Sequence, residues 1–167
     1  MKIIKITSKN WREFKDIRLQ ALKLDPQAFG DSYNVLIKKD NNFFFVLLSS
    51  RSQVLYGAYD ELRVIGTGSI KYAKALKFNH IAHLSGIYVM KEFRGRGVGK
   101  LLFEALIRIA FSNLRIKKLK LIVNMSQKGA IALYKSFKFK KIGDLKEEFN
   151  IDGTFHDAYL MELHNKS

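Results

Sequence analysis

The sequence predicts one α/β domain, of the α+β type, in which a mixed and mostly antiparallel sheet of about seven strands is flanked by about four helices. The 167 residues suit a single domain spanning residues 1–167, and no repeat, low-complexity block or linker divides them. Short runs rich in β-branched and aromatic residues dominate the first and last parts of the chain. Between residues 98 and 137 two helical patterns enclose another such run, so a βαβ centre follows an antiparallel front half.

The first two elements are a strand and a helix. Residues 1–7 alternate lysine with isoleucine, which indicates an edge strand instead of the continuous apolar run of a signal peptide. Asn10 can cap the following helix, Glu13 stands three residues later as in a capping box, and Pro26 ends the helix. Its apolar residues at helical spacing are Phe14, Ile17, Ala21 and Leu24.

The longest apolar run of the chain, residues 43–48, is far shorter than the roughly 20 residues that span a bilayer, so no transmembrane helix is expected. This run suits either a buried strand or the inner part of a helix. We expect a helix over residues 35–50, although the periodicity of this segment is weak.

Three antiparallel strands are expected next. Residues 54–59 and 62–72 are rich in strand-forming side chains and predict a hairpin with Asp60 and Glu61 at its turn. Residues 79–90 predict the third strand of this group.

The second half of the chain begins with a long amphipathic helix. Its apolar residues are Val98, Leu101, Leu102, Ala105, Leu106, Ile109 and Ala110. Residues 119–123 predict a short strand and residues 130–137 another helix. Residues 139–149 and 155–163 predict a closing hairpin with its turn at residues 152–153.

The composition is unusual only in its charge, with 30 Lys and Arg against 15 Asp and Glu, a net charge of +15. Such an excess suits nucleic acid, a membrane surface or a small polyanionic ligand, and equally a solvated lysine-rich surface that has no partner. The apolar content is sufficient for a core, which argues against disorder. The absence of cysteine excludes disulfides and a thiol nucleophile, and makes the cytoplasm the simplest expected location.

A glycine-rich turn joins the third strand to the long helix. Gly95, Gly97 and Gly99 allow the backbone to approach a ligand closely, and the N–H groups at a helix start bind anions. The nearby cations are Arg94, Arg96 and Lys100. A phosphate site is therefore predicted, the alternative being a turn that holds no ligand. A Walker loop would need glycine at position 94, and a dinucleotide fingerprint would need glycine at position 100.

The segment Arg94-x-x-Gly97-x-Gly99 resembles the acyl-CoA loop of the GCN5-related N-acetyltransferases, the GNAT family. Ile87-Tyr88-Val89 before it and the amphipathic helix after it belong to the same resemblance, which continues in residues 123–134 and upstream around Trp11 and Arg18. The sequence departs from the family pattern at two positions. Gln127 stands where the family often has asparagine, and Lys138 replaces the glycine that usually precedes a phenylalanine.

The resemblance implies a GNAT-like fold and an enzyme that moves an acetyl group from acetyl-CoA directly to a primary amine, without a protein nucleophile. Backbone groups of Ile87 and Val89 would hold the pantetheine arm and polarise the thioester, and the loop of residues 94–100 would receive the pyrophosphate. The implied cofactor-binding residues are Ile87, Tyr88, Val89, Arg94, Gly95, Arg96, Gly97, Val98, Gly99, Lys100 and Gln127.

By the same resemblance Tyr134 would protonate the departing thiolate, whereas its spacing alone also suits a core position beside Leu133 and Phe137. His83 is a candidate for the base that deprotonates the amine, directly or through water. Strand alternation predicts that His83 shares a sheet face with Ser85, Ile87 and Val89, although a structural histidine is the alternative. His80 falls on the opposite face, and no metal site is expected.

The acceptor is expected to be a small amine, a polyamine, or a peptide or protein amine. An acidic rim beside the acceptor opening would attract a cationic amine. The alternative interpretation is that these acids belong to a solvated hairpin. The acids concerned are Asp144, Glu147, Glu148, Asp152 and Asp157.

The competing hypothesis is a binding module with the same fold that uses its basic surface on nucleic acid or the ribosome. The run of residues 71–78 mixes lysines with aromatic residues, as single-strand binders do. The intact glycine turn favours the enzyme, so nucleic acid is not the expected partner. A homodimer through the C-terminal strands is compatible with the sequence.

Overall fold

A computed structural model describes residues 1–165, which form one seven-stranded sheet and five α-helices. The strands are β1 (Lys2–Ile6), β2 (Gln53–Asp60), β3 (Arg63–Tyr72), β4 (Ile81–Val89), β5 (Lys118–Asn124), β6 (Lys140–Ile151) and β7 (Thr154–His164). The helices are α1 (Trp11–Leu24), α2 (Tyr33–Leu36), α3 (Asn41–Leu48), α4 (Val98–Ser112) and α5 (Lys128–Ser136). These elements confirm the predicted fold class.

The strand order in the sheet is β1-β2-β3-β4-β5-β7-β6. All neighbouring strands are antiparallel except β4 and β5, which are parallel and joined through α4. This crossover confirms the predicted βαβ centre, because a parallel neighbour cannot be reached by a hairpin. The edge position of β1 was also predicted correctly.

The helices cover both faces of the sheet. The α1 side carries a core cluster that includes Phe14 and Phe44, and the α4 side carries a second cluster that includes Leu102 and Phe103. On the α4 side the helix lies so close to β3 that a Cβ atom at Gly68 would come within 2.6 Å of Leu106. A residue with a Cβ atom at this position would therefore force the buried Leu106 side chain to shift.

The segment predicted as one helix over residues 35–50 is instead two helices, α2 and α3. The break falls at Asp40, whose backbone is extended and whose carboxylate accepts a hydrogen bond from the N–H of Phe43 at 2.8 Å. Such a cap starts a new helix and cannot lie inside one. The apolar run that follows Asp40 is helical, as expected.

Two local expectations were wrong. The carboxamide of Asn10 does not cap α1, because it accepts from the N–H and hydroxyl of Thr7, and Glu13 instead accepts from the hydroxyl of Tyr59 at 3.2 Å. The β2–β3 turn lies one residue later than predicted, with Glu61 in the left-handed region. The predicted turn at residues 152–153 is confirmed.

The C-terminal end of α5 is a Schellman motif. The N–H of Phe139 donates to the carbonyl of Tyr134, and the N–H of Lys138 donates to that of Lys135. Lys138 occupies the left-handed position, with φ of 69°, where such motifs favour glycine. The motif also brings the ring of Phe139 to 6.4 Å from that of Tyr134, and so helps to hold Tyr134 in place.

Replacing Lys138 by glycine should therefore stabilise the protein. A residue with a Cβ atom destabilises the folded protein by about 1–2 kcal/mol in the left-handed region. The substitution recovers only part of this, because the greater conformational freedom of glycine stabilises the unfolded chain. We expect Lys138→Gly to raise the free energy of unfolding by about 1 kcal/mol in a urea titration. The matched control Lys135→Gly, inside α5, should lower it by about 1 kcal/mol. Equal effects of both substitutions would contradict this explanation.

Candidate active site

The centre of the sheet contains an opening between β4 and β5. Their parallel pairing joins only Ile81–His83 to Lys118–Lys120, and the later residues of β5 pair with β7 on the other side. A cavity of about 700 Å³ lies at this opening. Because His83 and Ser85 line it from the α1 side and Ala130 and Tyr134 from the α5 side, the cavity passes through the sheet.

A β-bulge in β4 shapes one wall of the cavity. Ser69 of β3 pairs with Ser85, but Thr67 pairs with Tyr88, so β4 has one residue more than β3 in this stretch. Gly86 makes the bulge with φ of 63°, a conformation that favours glycine.

This bulge corrects the predicted sheet faces. His83 and Ser85 face α1, as their pairing with β3 requires, while Ile87 and Val89 face α4. An added Cβ at Gly68 would lie 3.5 Å from Ile87 and 2.6 Å from Leu106 of α4, which places Ile87 on that side. The prediction that His83, Ser85, Ile87 and Val89 share one face was wrong, because an extra residue reverses the alternation after it.

The glycine turn presents free backbone to the surface. Gly95 and Gly97 have φ of 76° and 80°, and a Cβ atom on either would meet nothing within 4 Å. The first intrahelical bond of α4 runs from the N–H of Leu101 to the carbonyl of Gly97. The N–H groups of residues 98–100 precede that bond, so they remain available to an anion at the positive end of the helix dipole.

The basic side chains around this turn have different surroundings. Arg94 donates from Nε to the carbonyl of Val89 at 2.9 Å and forms an ion pair with Asp25. It thereby ties the turn to β4 and to the segment after α1. The guanidinium of Arg96 lies 5.5 Å from the ring of Phe93. Phosphate contacts by these side chains stay a prediction, whereas Arg94 has a structural role already.

Tyr134 lies in α5 at the cavity wall, with its ring 4.8 Å from that of Phe103. Burial raises the pKa of Tyr134, so its hydroxyl keeps its proton throughout the neutral range. Gln127 lines the same cavity at the N-cap position of α5. The sequence was compatible with either a core position or a catalytic role for Tyr134. In the structure its ring packs against Phe103, and the residue also lines the cavity.

His83 lies between two lysines on the α1 side of the sheet, opposite Lys71 of β3 and Lys120 of β5. Burial and these two ammonium groups lower the pKa of His83. Its imidazole is consequently neutral at pH 7 and can accept a proton.

Asn124 is a cavity residue that the sequence analysis did not identify. It ends β5, its side chain is 2% exposed, and its Oδ1 accepts from the N–H of Ser126 at 2.9 Å. Its Nδ2 has no hydrogen-bond partner within residues 1–165. The sequence signal was an asparagine directly after an apolar strand, which indicates a local turn and says nothing of the unpaired amide.

Two of the five acids in the predicted acidic rim form ion pairs with local lysines. Asp144 pairs with Lys141 at 2.9 Å, and Asp157 pairs with Lys146 at 2.7 Å. Of the five acids, Glu148 lines the cavity. An acidic rim that attracts the acceptor therefore stays a prediction, and Glu148 is its member at the cavity.

The comparisons with known proteins identify the family. The model of the acetyltransferase (GNAT) family matches residues 10–139, more than three quarters of the chain. The chain belongs to the GNAT family. An N-alpha-acetyltransferase of Saccharolobus solfataricus is 37% identical over 79 residues, which cover 47% of this chain and 46% of that relative. The chain spans about half the length of several relatives that it matches.

Two longer matches agree with this family. An N-alpha-acetyltransferase of Sulfolobus acidocaldarius is 29% identical over 155 residues, covering 87% of this chain and 89% of that relative. The structure of a GNAT acetyltransferase from Streptococcus pneumoniae superimposes with a TM-score of 0.87 at 24% identity, covering 98% of this chain and 99% of that chain. The structural match shows the fold. No helix within residues 1–165 of this GNAT protein is both long and apolar enough to cross a membrane.

Proposed function

We propose that this GNAT protein is an enzyme that transfers the acetyl group of acetyl-CoA directly to a primary amine. The observation that carries the proposal is the cavity at the opening of the sheet, which is lined by His83 on the α1 side and by Tyr134 on the α5 side. An acceptor amine and an acetyl donor can enter such a cavity from opposite faces and meet between β4 and β5. Holding two reactants together in this way is a large part of what catalysis requires.

The residues around the glycine turn fit acetyl-CoA. The open space over Gly95 and Gly97 and the N–H groups that start α4 suit a pyrophosphate, with Arg96 and Lys100 nearby. The edge of β4 beyond His83 has no strand partner on the β5 side within residues 1–165, so Ile87 and Val89 can pair with a pantetheine arm. When bound, acetyl-CoA supplies the activated acetyl group.

Three groups of this chain supply the chemistry. The N–H of Ile87, at the bulge, polarises the thioester carbonyl. His83 removes the proton that the attacking amine loses, either directly or through water. The hydroxyl of Tyr134 donates a proton to the departing sulfur as the carbon–sulfur bond breaks and the carbon–nitrogen bond forms. No covalent acyl-enzyme is needed, consistent with the absence of cysteine.

A binding module that uses only the basic surface is less consistent with the structure, because it needs neither the open sheet nor the cavity. Calorimetric titration with acetyl-CoA, followed by a panel of amines with detection of free thiol, tests the two functions. We expect micromolar binding and amine-dependent thiol release. Absence of acetyl-CoA binding together with salt-sensitive nucleic-acid binding would reject the enzyme. A cytoplasmic location, a homodimer and the lack of a nucleic-acid partner stay predictions.

Tyr134→Phe should lower kcat by about 10²-fold, which is the lower end of the rate loss usually seen when a general acid is removed. The ring still packs on Phe103, so the acetyl-CoA dissociation constant should change less than twofold. Steady-state kinetics and calorimetry measure the two quantities. As a control, Tyr33→Phe removes a hydroxyl outside the cavity lining and should leave both unchanged. An unchanged kcat in Tyr134→Phe would remove this residue from the reaction.

The pH dependence of kcat/KM tests His83. The charged groups that face it are Lys71 and Lys120, and both lower its pKa, so the proton-accepting form is present above an inflection below pH 6.5. We expect activity to fall as the pH decreases through this inflection, and His83→Gln to remove the inflection and lower the plateau. If the profile of His83→Gln keeps the inflection, the proton passes to another group.

A further inference from the structure

The unpaired amide of Asn124 identifies a second recognition element in the cavity. Its orientation is fixed, because Oδ1 accepts from the N–H of Ser126 and Nδ2 must then point away from that turn. A buried NH₂ group without a partner is costly, and most such groups in proteins are satisfied by protein, water or ligand. Asn124 lines the cavity, and a small movement of the lining that uncovers the buried Nδ2 allows a molecule in the cavity to satisfy it.

The face of the sheet indicates which substrate reaches Asn124. Along β5, Asn124 alternates with Ile122 and Lys120, and Lys120 stands opposite His83. These side chains therefore share the α1 face, whereas Leu121 and Val123 belong to the core cluster under α4. Ile87 and Val89, the proposed pantetheine contacts, also face α4. Asn124 is thus on the acceptor side of the opening.

We infer that Nδ2 of Asn124 donates a hydrogen bond to an oxygen of the acceptor, so that the acceptor class is an amine that also carries a carbonyl or carboxylate oxygen. An amino acid or the N-terminus of a peptide has such an oxygen, and a polyamine has none. This inference rests on the proposed function and makes Asn124 a specificity-determining residue.

One other feature of the α1 side agrees with this class. The cavity wall there is largely apolar, through Phe14, Leu36, Phe43, Leu47 and Leu55, so it suits an apolar side chain. The charged residues of the lining are Arg18 and Asp31, which form an ion pair at 2.6 Å, together with Lys71 and Glu148. Because these charges balance, the apolar wall is the feature of this side that favours the class.

The test compares phenylalaninamide with 2-phenylethylamine, which lacks the carboxamide. Both concentrations are expressed as neutral amine, because the carboxamide lowers the pKa of the neighbouring amino group. Calorimetry on the CoA-saturated protein measures binding without turnover, and thiol release measures kcat/KM. We expect the wild-type protein to favour phenylalaninamide at least tenfold in both, the effect of about one buried hydrogen bond. Phenylalanine distinguishes a carboxylate oxygen from a carbonyl oxygen, and spermidine should be a poor acceptor.

Asn124→Asp keeps the oxygen that accepts from Ser126 and replaces the donor. At pH 8, with the carboxyl ionised, the preference for phenylalaninamide should be lost and the acetyl-CoA dissociation constant should stay within twofold. The matched control is Asn113→Asp, since the Oδ1 of exposed Asn113 accepts from the N–H of Arg115 in the same type of turn. This control should behave as wild type.

Two outcomes would overturn the inference: no preference in the wild-type protein, or a preference that survives in Asn124→Asp. The wild-type comparison stands even if Asn124→Asp does not fold. Failure of the proposed function itself would be recognised separately, as acetyl-CoA that does not bind or amines that release no thiol from it.

Discussion

Parallel strands β4 and β5 are hydrogen-bonded over only three residues each, and their separation after His83 determines where the other parts of the site lie. A sheet that stayed paired would have no cavity at its centre and no unpaired edge on β4. The separation is possible because β5 finds its hydrogen-bond partner in β7, along its whole length. The long C-terminal hairpin is therefore what permits an opening in the sheet without leaving β5 unpaired.

Groups from both faces are held at this opening by contacts between distant parts of the chain. On the α1 side, Arg94 binds Asp25 and Arg18 binds Asp31, so both ends of the segment after α1 are fixed. On the other side, the helix end at Lys138 and the ring of Phe103 hold Tyr134. Each exposed ion pair contributes little to stability. Instead, these ion pairs fix the positions of the loops that border the cavity.

Much of the fold followed from the sequence, because apolar periodicity distinguishes strands from helices in elements such as α4 and β3. The glycine turn was also recognisable, since three glycines before an amphipathic helix have few other uses. The bulge at Gly86 was signalled only by a glycine inside a strand, and the alternation rule applied without it reversed the faces of Ile87 and Val89. Asn124 could not be found in this way, because an unpaired amide is defined by what surrounds it in three dimensions.

The charge of +15 acts differently at the glycine turn and at the cavity. At the start of α4, cations add to the helix dipole and favour an anion. On the α1 face, Lys71 and Lys120 flank His83 and disfavour its protonated form. The same excess of basic residues that suits a phosphate at the glycine turn thus keeps His83 neutral at the proposed position of amine deprotonation.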